Sequence, residues 1–325
     1  IKDRNVKESS YNMKTLYFDC GMGAAGDMLM ASLYEICPDK AGFLKTMNEM
    51  GLPGLSVEAE PAVKCGITGT HMKVTIHGEE EESVDVDLHE HVHDHAEHHE
   101  HANDHHEHCH DHEETGNHHH HETETHHHEM AADMADPHHH HASMAGITHI
   151  IEHLNLPDEV KKDVVAVYHL IAEAESHVHD KTVEEIHFHE VGTADAIADI
   201  AGVCLLMHMI APQKVIASPI HVGSGNVRCA HGILPVPAPA TAFILQGLPI
   251  YSGAIRGELC TPTGAALLKH FVTEFREMPV MRTSAIGYGM GKKDFERANC
   301  VRVLLGETEE SGNEVAELSC NLDDM

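Results

Sequence analysis

The chain has 325 residues, and its 53 Asp and Glu against 21 Lys and Arg give a formal net charge of −32. A chain this acidic is not expected to bind nucleic acid through a basic face. No apolar run predicts a membrane span and no signal peptide is visible, so we expect a cytoplasmic protein. The nine scattered cysteines form no Cys-x-x-Cys pair, which favours a reducing compartment over a disulfide framework.

Strands and helices are predicted to alternate along the chain. A strand over 16–19 leads through a glycine-rich turn to a helix over 28–36, capped by Asp27, and the following predicted elements are a helix over 40–50, strands over 56–60 and 70–77, helices over 147–154, 158–177 and 194–210, a strand over 214–222 interrupted by Pro219, helices over 241–245 and 265–274, and a strand over 301–305. This alternation predicts an α/β fold, with α+β mixing left open, in which helices flank a mixed sheet.

Composition also suggests where the chain divides. We predict a non-native or disordered leader over 1–12, an N-terminal α/β part over 13–77, a disordered insertion over 78–145 and the remainder of the α/β domain over 146–312. The insertion would interrupt one domain rather than separate two, because predicted strands and helices continue on both sides of it.

The predicted insertion is rich in histidine. Residues 89–141 contain 23 of the 36 histidines, interleaved with Asp and Glu and without any aromatic residue. Such a stretch cannot form a packed core, but its imidazoles can bind Ni, Zn, Co or Cu. We predict metal buffering, with a functionless linker or tag as the alternative. The ligands singled out are His91, His93, His95, His118, His119, His120 and His121.

A glycine-rich segment over 19–27 follows the first predicted strand. Its letters match Gly-x-Gly-x-x-Gly, which suits a phosphate at a helix N-terminus. A dinucleotide fold also needs a second parallel strand about twenty residues further on, and residues 43–50 are predicted to be helical instead. A general anion site and a tight turn with structural glycines both remain open.

The segment over 186–199 concentrates ionisable groups. On an extended segment His187 and His189 share one face, and on the helix that follows Asp195 and Asp199 share another. With Glu190 they could converge on one cation or supply a base beside it, so we predict a metal site at His187, His189 and Glu190 and catalytic roles for both histidines and both aspartates. The alternative is a buried polar network that orients the junction.

Three further segments could hold an anionic ligand. In the first, Gly223, Ser224 and Gly225 permit a backbone nest, and Arg228 can pair with phosphate. His221 and His231 flank this segment and could be ligands or bases, although a hairpin with one surface Arg explains the same letters.

Thr261 and Lys292 belong to the other two segments. Thr261 precedes a predicted helix whose N-terminus favours an anion, although a plain N-cap is the commoner use. Lys292 follows a glycine-rich run, which suits either phosphate binding or a mobile surface loop. Together with the previous segment, these residues form the predicted cofactor-binding set.

Several motifs, in the order in which they occur along the chain, resemble those of one family, the nickel-insertion protein of the lactate racemase cofactor pathway. The resemblance covers 13–325 apart from the histidine-rich insertion, and it rests on Phe18-Asp19, Gly26-Asp27-Met28, His187-Phe188-His189-Glu190-Val191-Gly192, His221-Val222-Gly223-Ser224-Gly225, Ala230-His231-Gly232, Thr261-Pro262-Thr263-Gly264, Gly287-Tyr288-Gly289 and Asn321-Leu322-Asp323-Asp324-Met325. The first loop departs from the family pattern, because Gly21 and Ala25 stand where the family has serines.

The resemblance implies a nickel chelatase of the lyase class. Such a protein inserts Ni²⁺ into pyridinium-3,5-bisthiocarboxylic acid mononucleotide to form the nickel-pincer nucleotide, while CTP is cleaved to CMP and pyrophosphate. It also implies that 313–325 begins a C-terminal domain associated with CTP and its Mg²⁺ or Mn²⁺, and that this domain is a partner of the part described above. The resemblance leaves open whether identical subunits assemble.

A non-enzymatic nickel store or metallochaperone is the competing interpretation. The histidine-rich insertion alone supports it, because binding metal requires no catalysis. A nicotinamide oxidoreductase is a weaker alternative that rests on the first loop.

Overall fold

The computed structural model of the chain describes residues 10–80, 84–86, 143–188, 191–229 and 231–311. The strands are β1 (Ser10–Asp19), β2 (Leu55–Lys64), β3 (Ile67–Ile76), β4 (Val84–Val86), β5 (Lys214–Ala217), β6 (Ile220–His221), β7 (Gly223–Ser224), β8 (Asn226–Cys229), β9 (Gly232–Pro235), β10 (Ile250–Tyr251), β11 (Gly257–Glu258), β12 (Glu274–Phe275), β13 (Arg282–Met290) and β14 (Cys300–Ser311). The helices are α1 (Gly26–Ile36), α2 (Lys40–Asn48), α3 (Met144–His153), α4 (Asp158–His179), α5 (Ala194–Ile210), α6 (Pro239–Ile244) and α7 (Pro262–Phe271).

A seven-stranded sheet in the order β12-β5-β1-β14-β13-β3-β2 is the framework of the fold. Strand β1 pairs parallel to β5 and antiparallel to β14, and β13 pairs antiparallel to β14 and parallel to β3. The sheet is therefore mixed, and with the helices beside it the α/β prediction is confirmed. The described residues belong to one unit formed by residues 1–87 and 140–325.

Helix α1 packs against the middle of the sheet through glycines. A β-carbon at Gly289 would lie 1.9 Å from the carbonyl oxygen of Met28, and one at Gly287 would lie 2.1 Å from that of Ser32. Only glycine permits this approach, because any side chain would overlap the helix backbone. Of the two alternatives for this glycine-rich run, the mobile loop is wrong for residues 287–290, which belong to β13. Lys292 lies just after that strand.

Helix α5 is buried on almost every side. Its hydrophobic residues between Ala196 and Ile210 are all buried except Met209. An all-apolar helix of this kind belongs inside a domain rather than at its surface. This burial matters for the site, because two carboxylates lie in the first two turns of α5. None of the helices in the described part of the chain is long and apolar enough to cross a bilayer.

Several predicted boundaries shift. Strand β1 begins at Ser10, inside the predicted leader, because its first residues pair with the end of β14. Strand β4 lies inside the predicted insertion and pairs with β8. Asp27 is not the cap of α1: the N-cap is Ala25, and Asp27 lies in the first turn, where its Oδ1 accepts from the backbone N–H of Met28 at 2.8 Å.

Candidate functional site

A cavity of about 520 Å³ lies where the first turns of α1, α5 and α7 meet. The hairpin of β8 and β9, the end of α4 and the residues after β13 complete its wall. The volume is in the range of small-molecule sites, and the wall combines apolar, acidic and basic side chains. The sequence elements that form it are far apart in the chain.

Helix N-termini give the cavity a field that favours anions. The N-caps of α1 and α5, Ala25 and Thr193, form no side-chain cap hydrogen bond. At α7 the hydroxyl of Thr261 accepts from the backbone N–H of Gly264 at 3.2 Å and lies 2.9 Å from the Thr263 hydroxyl. The positive ends of three helix dipoles therefore lie at one cavity, and they offset part of the negative charge of its carboxylates.

Arg228 and Lys292 form the basic part of the wall, and Lys292 is paired with Glu80, which His71 also contacts. The Lys292 Nζ lies 2.9 Å from Glu80 Oε1, and His71 Nε2 lies 3.4 Å from the same oxygen. The other ring nitrogen of His71 is 3.1 Å from the carbonyl oxygen of Met290. Burial raises the pKa of Glu80, but its bond to Lys292 and the nearby His71 outweigh burial, so the pKa lies below its ordinary value.

Asp27 lies beside this ion pair in the same cavity. Burial raises its pKa above the ordinary value of a carboxyl group, against the lowering influence of Lys292, His71 and the Met28 N–H. A carboxyl group with a raised pKa in a cleft is a candidate proton acceptor.

Asp195 and Asp199 line the cavity from α5 and lie next to Tyr168. The buried Tyr168 hydroxyl donates to the carbonyl oxygen of Val191 at 3.1 Å. Burial, followed by the charges of the two aspartates, raises the pKa of Tyr168 well above its ordinary range, so the phenol stays protonated. The ring also packs edge-on against Phe188 at a centroid distance of 5.9 Å, which fixes the segment before α5.

The first glycine-rich loop is occupied by backbone contacts. The N–H of Gly23 donates to the carbonyl oxygen of Cys20, and the N–H of Ala24 donates to that of Leu259, both at 2.9 Å. Gly23 has φ +80°, and a β-carbon there would lie 1.9 Å from the Leu259 carbonyl oxygen. These contacts give Gly23 a structural role, and the amides of Gly23 and Ala24 are already bonded to Cys20 and Leu259.

The predicted nest over 223–225 lies outside the cavity wall. A β-carbon at Gly223 would lie 2.0 Å from the carbonyl oxygen of Gly257, and Ser224 donates from its hydroxyl to that of Ile255 at 2.8 Å. The N–H of Gly223 donates to Nδ1 of the buried His221 at 3.0 Å. This segment joins two strands closely, and Gly225, with φ +89°, turns the chain into β8.

The structure brings only part of the predicted set together. Five predicted residues line the cavity, namely Asp195, Asp199, Arg228, Thr261 and Lys292. Gly223, Ser224 and Gly225 do not line it, and His187 is exposed outside its wall while its neighbour Phe188 is buried. His189, Glu190 and the histidines His91, His93, His95, His118, His119, His120 and His121 lie outside the described residues.

Sequence reasoning missed residues that reach the cavity from the end of α4, from the segment after β3 and from the first turn of α1. Glu175, His179 and Glu80 all line it, and Asp27 had been considered only as a cap. Glu175 and His179 are four residues apart, a spacing that places both on one helix face and could have identified them. Over the part of the chain that the structure describes, no three His, Cys, Asp or Glu side chains converge as a metal site.

Known proteins of one family are similar to this chain over most of its length. The profile of a family described as nickel insertion protein matches residues 16–325. The chain is 38% identical over 317 residues to a pyridinium-3,5-bisthiocarboxylic acid mononucleotide nickel insertion protein of Clostridium kluyveri, covering 96% of this chain and 67% of that protein. A protein of the same name from Clostridium acetobutylicum is also 38% identical over 317 residues, covering 96% of this chain and 69% of that protein.

These matches extend beyond the described residues, and the chain spans about two thirds of the length of the curated relatives it matches. No solved structure matches it significantly. The family profile covers more than half of the chain, and the motifs that suggested the resemblance lie within the matched range. The chain therefore belongs to the nickel insertion protein family.

Proposed function

We propose that this chain inserts nickel into pyridinium-3,5-bisthiocarboxylic acid mononucleotide and that the 520 Å³ cavity is where the two meet. The observation that carries the proposal is that carboxylates, imidazoles and cations line one cavity at which three helices begin. Nickel and a nucleotide require opposite environments, and this wall offers both. The relatives' names supply the substrate.

In this proposal the nucleotide phosphate binds to the basic part of the wall. Arg228 can pair with phosphate through two N–H groups, and Lys292 adds a second cation. The N-termini of α1 and α5 contribute partial positive charge at the same place. Thr261 is engaged as a cap, so its contribution is the position of α7 rather than a dedicated phosphate contact.

In this proposal the carboxylates of the wall bind the metal and accept the proton that the substrate ring loses. Insertion replaces the ring C–H bond by a carbon–nickel bond, and the proton that leaves must be accepted by a base. Asp195 and Asp199 can bind nickel or orient the base, and the raised pKa of Asp27 suits a proton acceptor. His187, His189 and Glu190 remain predictions as nickel ligands.

The reaction would also consume CTP. We propose a lyase in which CTP is cleaved to CMP and pyrophosphate. CTP and its Mg²⁺ or Mn²⁺ would bind in the C-terminal domain of the relatives, and the histidine-rich insertion would gather nickel. The protein would work in the cytoplasm on the lactate racemase cofactor.

An insertion assay tests the proposal. The chain is incubated with Ni²⁺ and the mononucleotide, with and without CTP and a supplied C-terminal domain of a relative, and the nickel-pincer nucleotide is measured by mass spectrometry. Product in any CTP-containing mixture that needs this chain supports the proposal. Tight nickel binding without product in every mixture would instead favour the alternative, a nickel store or metallochaperone.

A further inference from the structure

Two histidines from distant parts of the chain meet at the edge of the cavity. The ring centroids of His179 and His231 lie 4.8 Å apart, with an interplanar angle of 39°. His179 is in the last turn of α4, and His231 is in the turn between β8 and β9. Both side chains line the cavity, and His231 is exposed, so the pair faces solvent on one side and the cavity on the other.

The separation of the two rings fits a shared metal ion. A metal–nitrogen distance of about 2.0–2.1 Å places each imidazole centroid roughly 3.2 Å from the ion, so bond angles of about 90–110° separate two centroids by roughly 4.5–5.2 Å. The observed 4.8 Å falls inside this range. Imidazole nitrogen is a common ligand of Ni²⁺, Zn²⁺, Co²⁺ and Cu²⁺.

Glu175 fixes one of the two rings. Its Oε2 lies 3.3 Å from His179 Nε2, and its side chain is only 17% exposed. A carboxylate bonded to one ring nitrogen is the usual outer partner of a metal-binding histidine, because it sets the tautomer and makes the opposite nitrogen the ligand. In His179 that opposite nitrogen is Nδ1.

A pair of histidines leaves most of the coordination sphere of the ion to other ligands. No third His, Cys, Asp or Glu among the described residues converges with them into a closed site. Sites that hold a metal permanently are closed by four protein ligands, whereas sites that present a metal to a substrate keep positions open. The thiocarboxylate sulfurs of the proposed substrate are suitable ligands for those positions.

We propose that His179 and His231, with His179 oriented by Glu175, form a transfer site that receives Ni²⁺ at the cavity edge and passes it to the nucleotide. The transfer exchanges imidazole nitrogens for substrate sulfurs and leaves both histidines neutral. The role in transfer rests on the proposed function, but the metal site itself does not.

Nickel binding by the 325-residue chain tests the site. Because the histidines over 89–141 would mask it, all of them are replaced by Gln in a parent variant, and Ni²⁺ alone is titrated by calorimetry. His179→Ala and His231→Ala are each expected to weaken one binding event at least about tenfold, and Glu175→Gln about tenfold. His208→Ala is the control, because His208 is exposed on α5 and outside the cavity wall.

Two results would overturn the proposal. One is a parent that binds no nickel, and the other is a His179→Ala/His231→Ala variant that binds it like the parent. Insertion assays in the natural background separate this failure from that of the proposed function. If the double variant inserts nickel at the normal rate, the transfer role is refuted and the proposed function stands. If no chain inserts nickel but the variants still lose nickel binding, the proposed function is refuted and the metal site stands. Thermal melts confirm that each variant is folded.

Discussion

Gly26 leaves space for the carboxylate of Asp199, since a β-carbon at position 26 would lie 2.8 Å from Asp199 Oδ2 and 2.9 Å from its Cβ. The first residue of α1 thus sets the position of a side chain on α5. Asp27, the next residue of α1, and Asp199 both line the cavity.

Gly26→Ala should therefore reduce nickel insertion more than stability. The added methyl group displaces the Asp199 side chain, and a misplaced group of about 1 Å can cost about 100-fold in rate. Gly146→Ala in α3 is the matched control, because its β-carbon would meet only Ser143 Oγ at 3.5 Å. Equal insertion rates in the two variants would show that the position of Asp199 is unimportant.

The packing role of the first glycine-rich loop can be tested by measuring the free energy of unfolding. Gly23 and Gly66 both have positive φ, +80° and +82°, so alanine at either position costs about 1–2 kcal/mol from backbone strain. At Gly23 the β-carbon also meets the Leu259 carbonyl oxygen at 1.9 Å, whereas at Gly66 it meets nothing within 4 Å. Overpacking should add ~1–3 kcal/mol at Gly23 alone. Urea denaturation measures both, and equal losses would contradict the packing role of the loop.

The predictions from sequence succeeded where periodicity was strong. Helix α5 has the predicted bounds, and the interruption of its following strand at Pro219 is confirmed between β5 and β6. They failed over β13, because a glycine-rich run considered alone suggests a loop. In the structure these glycines are needed because α1 packs directly against them. Local letters cannot show such an approach of two distant segments.

Part of the cavity wall was also predicted from the sequence. Asp195 and Asp199 were found because carboxylates four apart in an apolar helix are costly unless they serve a purpose. Glu80 and His179 were missed because what makes them notable is their spatial neighbours, Lys292 and His231, which are distant in sequence. The nest over 223–225 was predicted from a local pattern of glycines. In the structure Gly223 and Ser224 instead contact the carbonyl oxygens of Gly257 and Ile255.

Lys292 should contribute to nucleotide affinity. Lys292→Ala removes a cation from the cavity wall and leaves Glu80 without its 2.9 Å partner, so an anionic substrate meets added repulsion. We expect the KM for the mononucleotide to rise about tenfold, which corresponds to about 1.4 kcal/mol, with a smaller change in kcat. Lys162→Ala on the exposed side of α4 should leave KM unchanged. An unchanged KM in Lys292→Ala would exclude Lys292 from the phosphate site.

The free energy of unfolding should decrease in mild acid because of His221. Burial lowers its pKa, and the charge of Arg297 lowers it further, so the folded state binds this proton less readily than the unfolded state does. The contribution is complete above the unfolded pKa of about 6.5 and is lost as pH falls from there toward the folded pKa.

Substitution by Asn isolates this contribution, because Asn can still accept the hydrogen bond from the Gly223 N–H. The free energy of unfolding is measured in urea at pH 7.5 and pH 5.5 for the wild type and for His221→Asn. The variant should lose less stability between the two pH values, while the exposed control His208→Asn should follow the wild type. Identical pH dependence in His221→Asn and the wild type would refute the assignment.

The most direct measurement of the central claim is the nickel insertion rate of an Asp195→Asn/Asp199→Asn variant, taken with its affinity for the mononucleotide. Both side chains line the cavity, and Asp163→Asn on α4, outside the wall, is the control. The double variant is expected to bind the nucleotide with wild-type affinity or better and to insert nickel at least about 100-fold more slowly. Insertion at the wild-type rate would contradict the claim that nickel meets the nucleotide in this cavity.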